Sequence, residues 1–105
     1  MWILQSSAAE PSPFTFRVPA GAIKTVGRAA RADMILDAAL VSRLHCRLEA
    51  GDQAIEVIDL SSTNGTFVND KRVERATVSK GDRLRIGRVE LTVGWHDAEP
   101  VSPPS

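Results

Sequence analysis

Three short segments of this 105-residue chain concentrate side chains that donate hydrogen bonds to anions: Gly27-Arg28, Ser42-Arg43-Leu44-His45 and Ser61-Ser62-Thr63-Asn64-Gly65. Arginine offers paired, charged N–H groups and a hydroxyl adds a short directional donor, so together these types suit an oxyanion such as a phosphate monoester. A surface arginine or a hydroxyl-rich loop alone is ordinary. Three such segments in order within about forty residues need a common explanation. Nucleophilic chemistry is the rival, with Ser42 and His45, or His45 and Cys46, as nucleophile and base. It is set aside because neighbours on a strand point to opposite faces, which sends Cys46 to the core and His45 away from it. No Gly-x-Ser-x-Gly elbow or Walker loop occurs, so no catalytic residue and no enzyme activity are expected.

Short strands must position these segments. Trp2-Ile3-Leu4 opens with an apolar run, and a Ser/Ala/Glu/Pro connection follows through Pro13. Phe14, Phe16 and Val18 alternate with polar residues, as do Leu44, Cys46 and Leu48, then Leu84 and Ile86, then Val89, Leu91 and Val93. That period of two marks half-buried strands. Ile23, Thr25 and Val26 lead into Gly27-Arg28. From Ala54 to Leu60 the apolar positions change face between Ile55/Val57 and Ile58/Leu60, which implies either cover on both sides or a bulge. Asn64-Gly65 is the strongest tight-turn signal, with a further turn at Asn69-Asp70. The stretch from Ala29 to Leu40 is rich in helix formers, yet Asp33 and Asp37 divide it around Met34-Ile35-Leu36. Many short strands separated by turn signals indicate an all-β sandwich.

Composition bounds the rest. Hydrophobic residues make up 43% and charged residues 25%, as in ordinary globular domains, and 105 residues suit a single domain. Thirteen basic residues balance thirteen acidic ones, so no global field draws nucleic acid or an anionic membrane, and any anion site must be local. The one cysteine excludes an internal disulfide, and with two histidines it makes no structural zinc site without carboxylates. No metal or cofactor is expected. With no secretory or membrane-spanning pattern, the chain reads as cytoplasmic.

Gly-Arg, Ser-Arg-x-His and Ser-Thr-Asn-Gly-Thr, in that order and spacing, resemble the forkhead-associated (FHA) domain family, from roughly Trp2 to Val93. The resemblance implies a two-sheet β-sandwich of about eleven short, mostly antiparallel strands, with a short strand rather than a helix around Met34. Residues 1–95 would be the domain and 96–105 a Pro/Ser-rich tail or linker.

What the family does then suggests roles. Arg28 and Ser42 would hold the phosphate of a phosphothreonine, and Arg43 would add a further contact. Thr63 and Asn64 would bind the phosphate or the peptide backbone, although Asn64 also suits a pure turn former. Leu40 and Val41 would read the residues after the phosphothreonine, favouring an apolar one three places on. Gly27, His45 and Gly65 would support the site structurally, His45 by bracing the loops beneath it. The implied partner is a separate protein modified by a Ser/Thr kinase, because every threonine of the chain lies inside the domain, and a monomer is expected. The alternative is an interaction module of the same fold that binds without phosphate.

Overall fold

The structure, a computed structural model that describes residues 1–6 and 14–95, contains eleven strands and, among those residues, no helix. In chain order they are β1 (Trp2–Ser6), β2 (Thr15–Val18), β3 (Ile23–Gly27), β4 (Met34–Ile35), β5 (Cys46–Ala50) and β6 (Ile55–Asp59). After these come β7 (Thr66–Val68), β8 (Lys71–Val73), β9 (Arg75–Val78), β10 (Arg83–Ile86) and β11 (Val89–Trp95). The expected tail, 96–105, and most of the connection ending at Pro13 lie outside the described residues.

Two sheets face each other. One has the order β2-β1-β11-β10-β7-β8 and the other β4-β3-β5-β6-β9, and every pair is antiparallel except β3 with β4. The alternating strands behave as their pattern implies: Cys46, Leu48 and Ala50 of β5 point inward while Arg47 and Glu49 are half-buried on the outer face. Leu4, Val18, Val26, Ile55, Val57 and Leu84 complete a core closed to solvent. The face change in β6 comes from cover rather than a bulge, since Ile55 to Asp59 pair one-to-one with β5 and Ile58 is half-buried on the outside.

Helix propensity loses in the segment after Arg28 because tertiary contacts capture it. The Asp33 carboxylate accepts from both the N–H and the hydroxyl of Thr25, at 2.9 and 3.1 Å. Leu36 donates its N–H to Gly27 at 2.8 Å, and Met34 and Leu36 are buried. Each of these fixes the segment against β3, where a helix would bury nothing.

The turns hold one surprise. Asn64-Gly65 is not a hairpin: β6 and β7 belong to different sheets, so the segment between them crosses from one to the other. Positive φ there falls on Ser61 (59°) and Gly65 (91°), not on Asn64. The two-residue hairpin with both centres in the left-handed region is Asn69-Asp70, with φ of 48° and 71°, joining β7 to β8.

Candidate functional site: a groove between three loops

The loops β3–β4, β4–β5 and β6–β7 meet at one end of the sandwich. Between them lies an open groove of about 530 Å³, lined by Arg28, Ser42, Thr63 and Asn64 together with Ala38 to Val41. Its single carboxylate is Asp37. Of the expected site residues, Arg28, Leu40, Val41, Ser42, Thr63 and Asn64 are therefore brought together. Arg43 is not among the lining residues; it lines a separate depression with Ala29, Arg31 and Leu44.

Arg28 is aimed by its own chain. Its Nε donates to the carbonyl of Val41 at 2.9 Å, and its backbone N–H donates to that of Ser42 at 3.0 Å. The two terminal nitrogens of the guanidinium have no partner among the described residues, which leaves a preset fork of donors facing the groove. Ser42 Oγ accepts from the backbone N–H of Thr63 at 3.0 Å, so its hydroxyl proton is available to an incoming acceptor. Thr63 is exposed. Asn64 donates through Nδ2 to the carbonyl of Leu40 at 3.1 Å and so ties the β4–β5 loop to the β6–β7 loop. The contact braces the two loops against each other, and the positive φ of the turn falls on Gly65.

Leu40 holds a positive φ of 69° and stays half-open to solvent at 46%. A β-carbon in the left-handed region costs on the order of 1 kcal/mol or more, so the loop is held there by its neighbours. Asn64 grips its carbonyl from one side. From the other the β10–β11 turn packs so close that a β-carbon on Gly87 would lie 2.8 Å from the Leu40 carbonyl carbon and oxygen.

His45 lies beneath the groove and is closed to solvent at 0%. Adjacent-residue alternation would turn it away from buried Cys46, but both are buried, because His45 precedes the strand and fills the space under the loops. Its Nδ1 accepts from the N–H of Ser42 at 3.0 Å, so Nε2 carries the proton and donates to the carbonyl of Gly65 at 2.9 Å. One ring thus spans two of the three loops.

A second brace escaped the sequence reading. Asp59, at the end of β6, accepts from the Ser62 N–H at 3.0 Å, the Ser62 hydroxyl at 2.5 Å and the Thr66 hydroxyl at 2.7 Å. Ser62 Oγ in turn accepts from Gly65 N–H at 3.0 Å. The signal was the Asp-x-x-Ser spacing, a short side-chain cap on the following turn. Of the three adjacent hydroxyls, Ser62 serves the turn while Thr63 faces outward.

Burial pushes the Asp59 carboxyl up, but the hydrogen bonds from Ser62 and Thr66 outweigh it and hold it below its ordinary value of 3.8. Asp33, through the Thr25 backbone N–H, and Asp82, through the Ser79 backbone N–H, are also held below theirs. A carboxyl depressed by folding contributes stability above its unfolded value and loses it as pH falls through the folded one. Denaturation midpoints are therefore expected to hold from neutrality to about pH 4 and to decline below it, with a shallower decline in Asp59→Asn. An identical acid limb in that variant would contradict the assignment. Burial, with the Asp59 charge second, pushes the Cys46 thiol up to about 12.

The sequence matches the FHA domain family over residues 24–87. It is 38% identical over 81 residues to the ABC transporter ATP-binding/permease protein Rv1747 of Mycobacterium tuberculosis, covering 77% of this chain and 9% of that protein. It is 37% identical over 70 residues to the glycogen accumulation regulator GarA of the same organism, covering 67% of this chain and 43% of that protein. The chain thus spans less than half the length of either relative. Among solved structures, the FhaA FHA domain in complex with the intracellular domain of Rv3910 superposes with a TM-score of 0.77 at 32% identity, covering 89% of this chain and 99% of that one. Mycobacterium tuberculosis EmbR in complex with a low-affinity phosphopeptide superposes with a TM-score of 0.73 at 29% identity, covering 89% of this chain and 24% of that one. Family match, two-sheet topology and the loop-borne Gly-Arg, Ser-Arg-x-His and Ser-Thr-Asn-Gly-Thr segments agree, and the chain belongs to the FHA domain family.

Proposed function

We propose that residues 1–95 form a binding domain that takes a phosphothreonine-containing segment of a partner protein, modified by a Ser/Thr kinase, into the groove beneath Arg28. The observation that carries this reading is the convergence of unengaged donors: the two terminal nitrogens of Arg28 and the Ser42 hydroxyl line the same groove, with Thr63 next to Ser42. A phosphate monoester near neutrality carries close to two negative charges and three acceptor oxygens, which such donors match. Thr63 adds a hydroxyl, and Asn64 offers its remaining amide N–H and its oxygen to the peptide backbone. Arg43, next to Ser42, adds positive charge at the margin. Leu40 and Val41, with Ala38 and Ala39, give the adjoining groove an apolar wall suited to the residues after the phosphothreonine.

The phosphopeptide bound by EmbR and the partner domain bound by FhaA support this reading, as relatives of the same fold. No threonine of residues 1–95 suits this ligand role: Thr66 is buried, Thr63 belongs to the groove, and Thr15, Thr25, Thr77 and Thr92 are paired within strands, so the bound segment comes from outside these residues. Among the described residues no helix is long and apolar enough to cross a membrane.

The test is a titration with matched peptides bearing phosphothreonine, phosphoserine or unmodified threonine. Strong preference for the phosphorylated forms is expected, and preference for phosphothreonine over phosphoserine of only a few-fold, since one buried methyl contributes about 0.8 kcal/mol. Equal binding of all three would move the reading to an interaction that needs no phosphate.

A further inference from the structure

Four arginines on the sheets have partners. Arg47 pairs with Glu49 at 3.0 Å, Arg75 with Glu56, and Arg83 with Asp70 at 3.3 Å, while Arg85 stacks 4.2 Å from the centre of the Phe67 ring. Arg31 and Arg43, like Arg17, Arg72 and Arg88, have no side-chain hydrogen-bond or ion-pair partner among the described residues, but these two stand together. Both are exposed, and they line one depression of about 380 Å³ with Ala29 and Leu44. No carboxylate lines it.

Their proximity is built into the backbone. The Ala29 N–H donates to the Arg43 carbonyl at 3.1 Å, which joins the two segments directly. Arg31 sits in a turn closed by Ala32 N–H donating to the Ala29 carbonyl at 3.0 Å. Buried Ala32 and the Asp33–Thr25 hydrogen bonds hold that turn in place. The depression and the groove are lined by neighbouring residues of the same two segments. Arg28 and Ser42 line the groove, and their successors Ala29 and Arg43 line the depression. Two like charges held together on a rigid frame, with no counter-charge of their own, repel until an anion joins them.

We propose that Arg31 and Arg43 form a second anion subsite, which takes a carboxylate or a second phosphoryl group carried by the same peptide that places its phosphothreonine in the groove. That group lies on the side of the phosphothreonine away from Leu40. The inference rests on the phosphopeptide reading of the groove and narrows its ligand class to segments with a flanking negative charge. Arg43 then acts on the flank, and Arg31, which no motif singled out, acts with it.

The experiment compares one parent phosphothreonine peptide, free of other acids, with two series built on it. One moves a single aspartate through each flanking position; the other moves a second phosphothreonine. Wild type is expected to bind the best member of at least one series about tenfold more tightly than the parent, the increment of one added charge-assisted contact. In Arg31→Ala the ratio of the two affinities should fall toward one, and in Arg31→Glu below one. Which series shows the gain identifies the anion as carboxylate or phosphoryl. A ratio near one for every position in wild type, or a gain that persists in Arg31→Ala and Arg43→Ala, overturns the proposal. Failure of the groove reading looks different: the parent peptide then binds no better than its unphosphorylated form.

Discussion

Replacing Arg28 with alanine is expected to weaken a phosphothreonine peptide at least about tenfold, and about a hundredfold if both terminal nitrogens engage the phosphate. Hydrogen bonds to charged groups contribute about 1.5–3 kcal/mol each, and about 1.4 kcal/mol is a tenfold change. The fold should barely notice. Arg28 is exposed, and its only side-chain bond among the described residues is the one from Nε to the Val41 carbonyl. Arg28→Lys is expected to recover little, since an ammonium keeps the charge but lacks both the fork and the Nε anchor that aims it. Calorimetric titration beside a thermal melt separates the outcomes. Unchanged affinity in a folded Arg28→Ala would remove the groove from consideration as the phosphate site.

Gly27→Ala is expected to do the opposite, damaging the fold first and binding as a consequence. Gly27 needs no special backbone angle; it needs space. A β-carbon there would lie 2.0 Å from the Arg43 carbonyl oxygen, 2.7 Å from its carbon and 2.9 Å from Leu44 Cα, all backbone atoms that no rotamer change can move. The end of β3 and residues 43–44 would have to part, breaking the bonds from Arg28 and Ala29 to Ser42 and Arg43. Overpacking of this kind costs about 3 kcal/mol or more, which lowers the melting temperature of a domain this size by more than about 10 °C. Gly65 offers a contrast, because the atoms nearest its missing β-carbon belong to the flexible side chain of Arg72, although its φ of 91° still disfavours substitution. A melting temperature within a few degrees of wild type for Gly27→Ala would show that the close approach is not required.

Much of this was legible from residue types. Strict alternation in β5, β10 and β11 declared which side chains enter the core, and the order of the three loop segments declared which would meet. The short strand around Met34 came from the family resemblance and not from local propensity, and its physical cause is the bonding of Asp33 and Leu36 to β3. What escaped depended on neighbours distant in sequence. Asn64-Gly65 carries the strongest local hairpin signal, yet the chain changes sheets there, and no local preference encodes which sheet a strand joins. Residues braced from below were the hardest to place: His45 was expected to brace the loops, but its burial beside Cys46 follows from loops closing over it. Arg31 lies in a run of alanines that mark neither strand nor site, and only the backbone bond between Ala29 and Arg43 reveals its company.

Cys46 gives the domain an internal clock. It is the one thiol of the chain, fully buried, and burial pushes its pKa up to about 12, so the reactive thiolate is scarce at neutrality. Alkylation by a thiol reagent must therefore wait for the sheets to separate, and its rate counts those openings in the native protein without any engineered label. A bound peptide that clasps the loops above His45 should slow that clock in proportion to its occupancy, so the same thiol that plays no part in binding can report it.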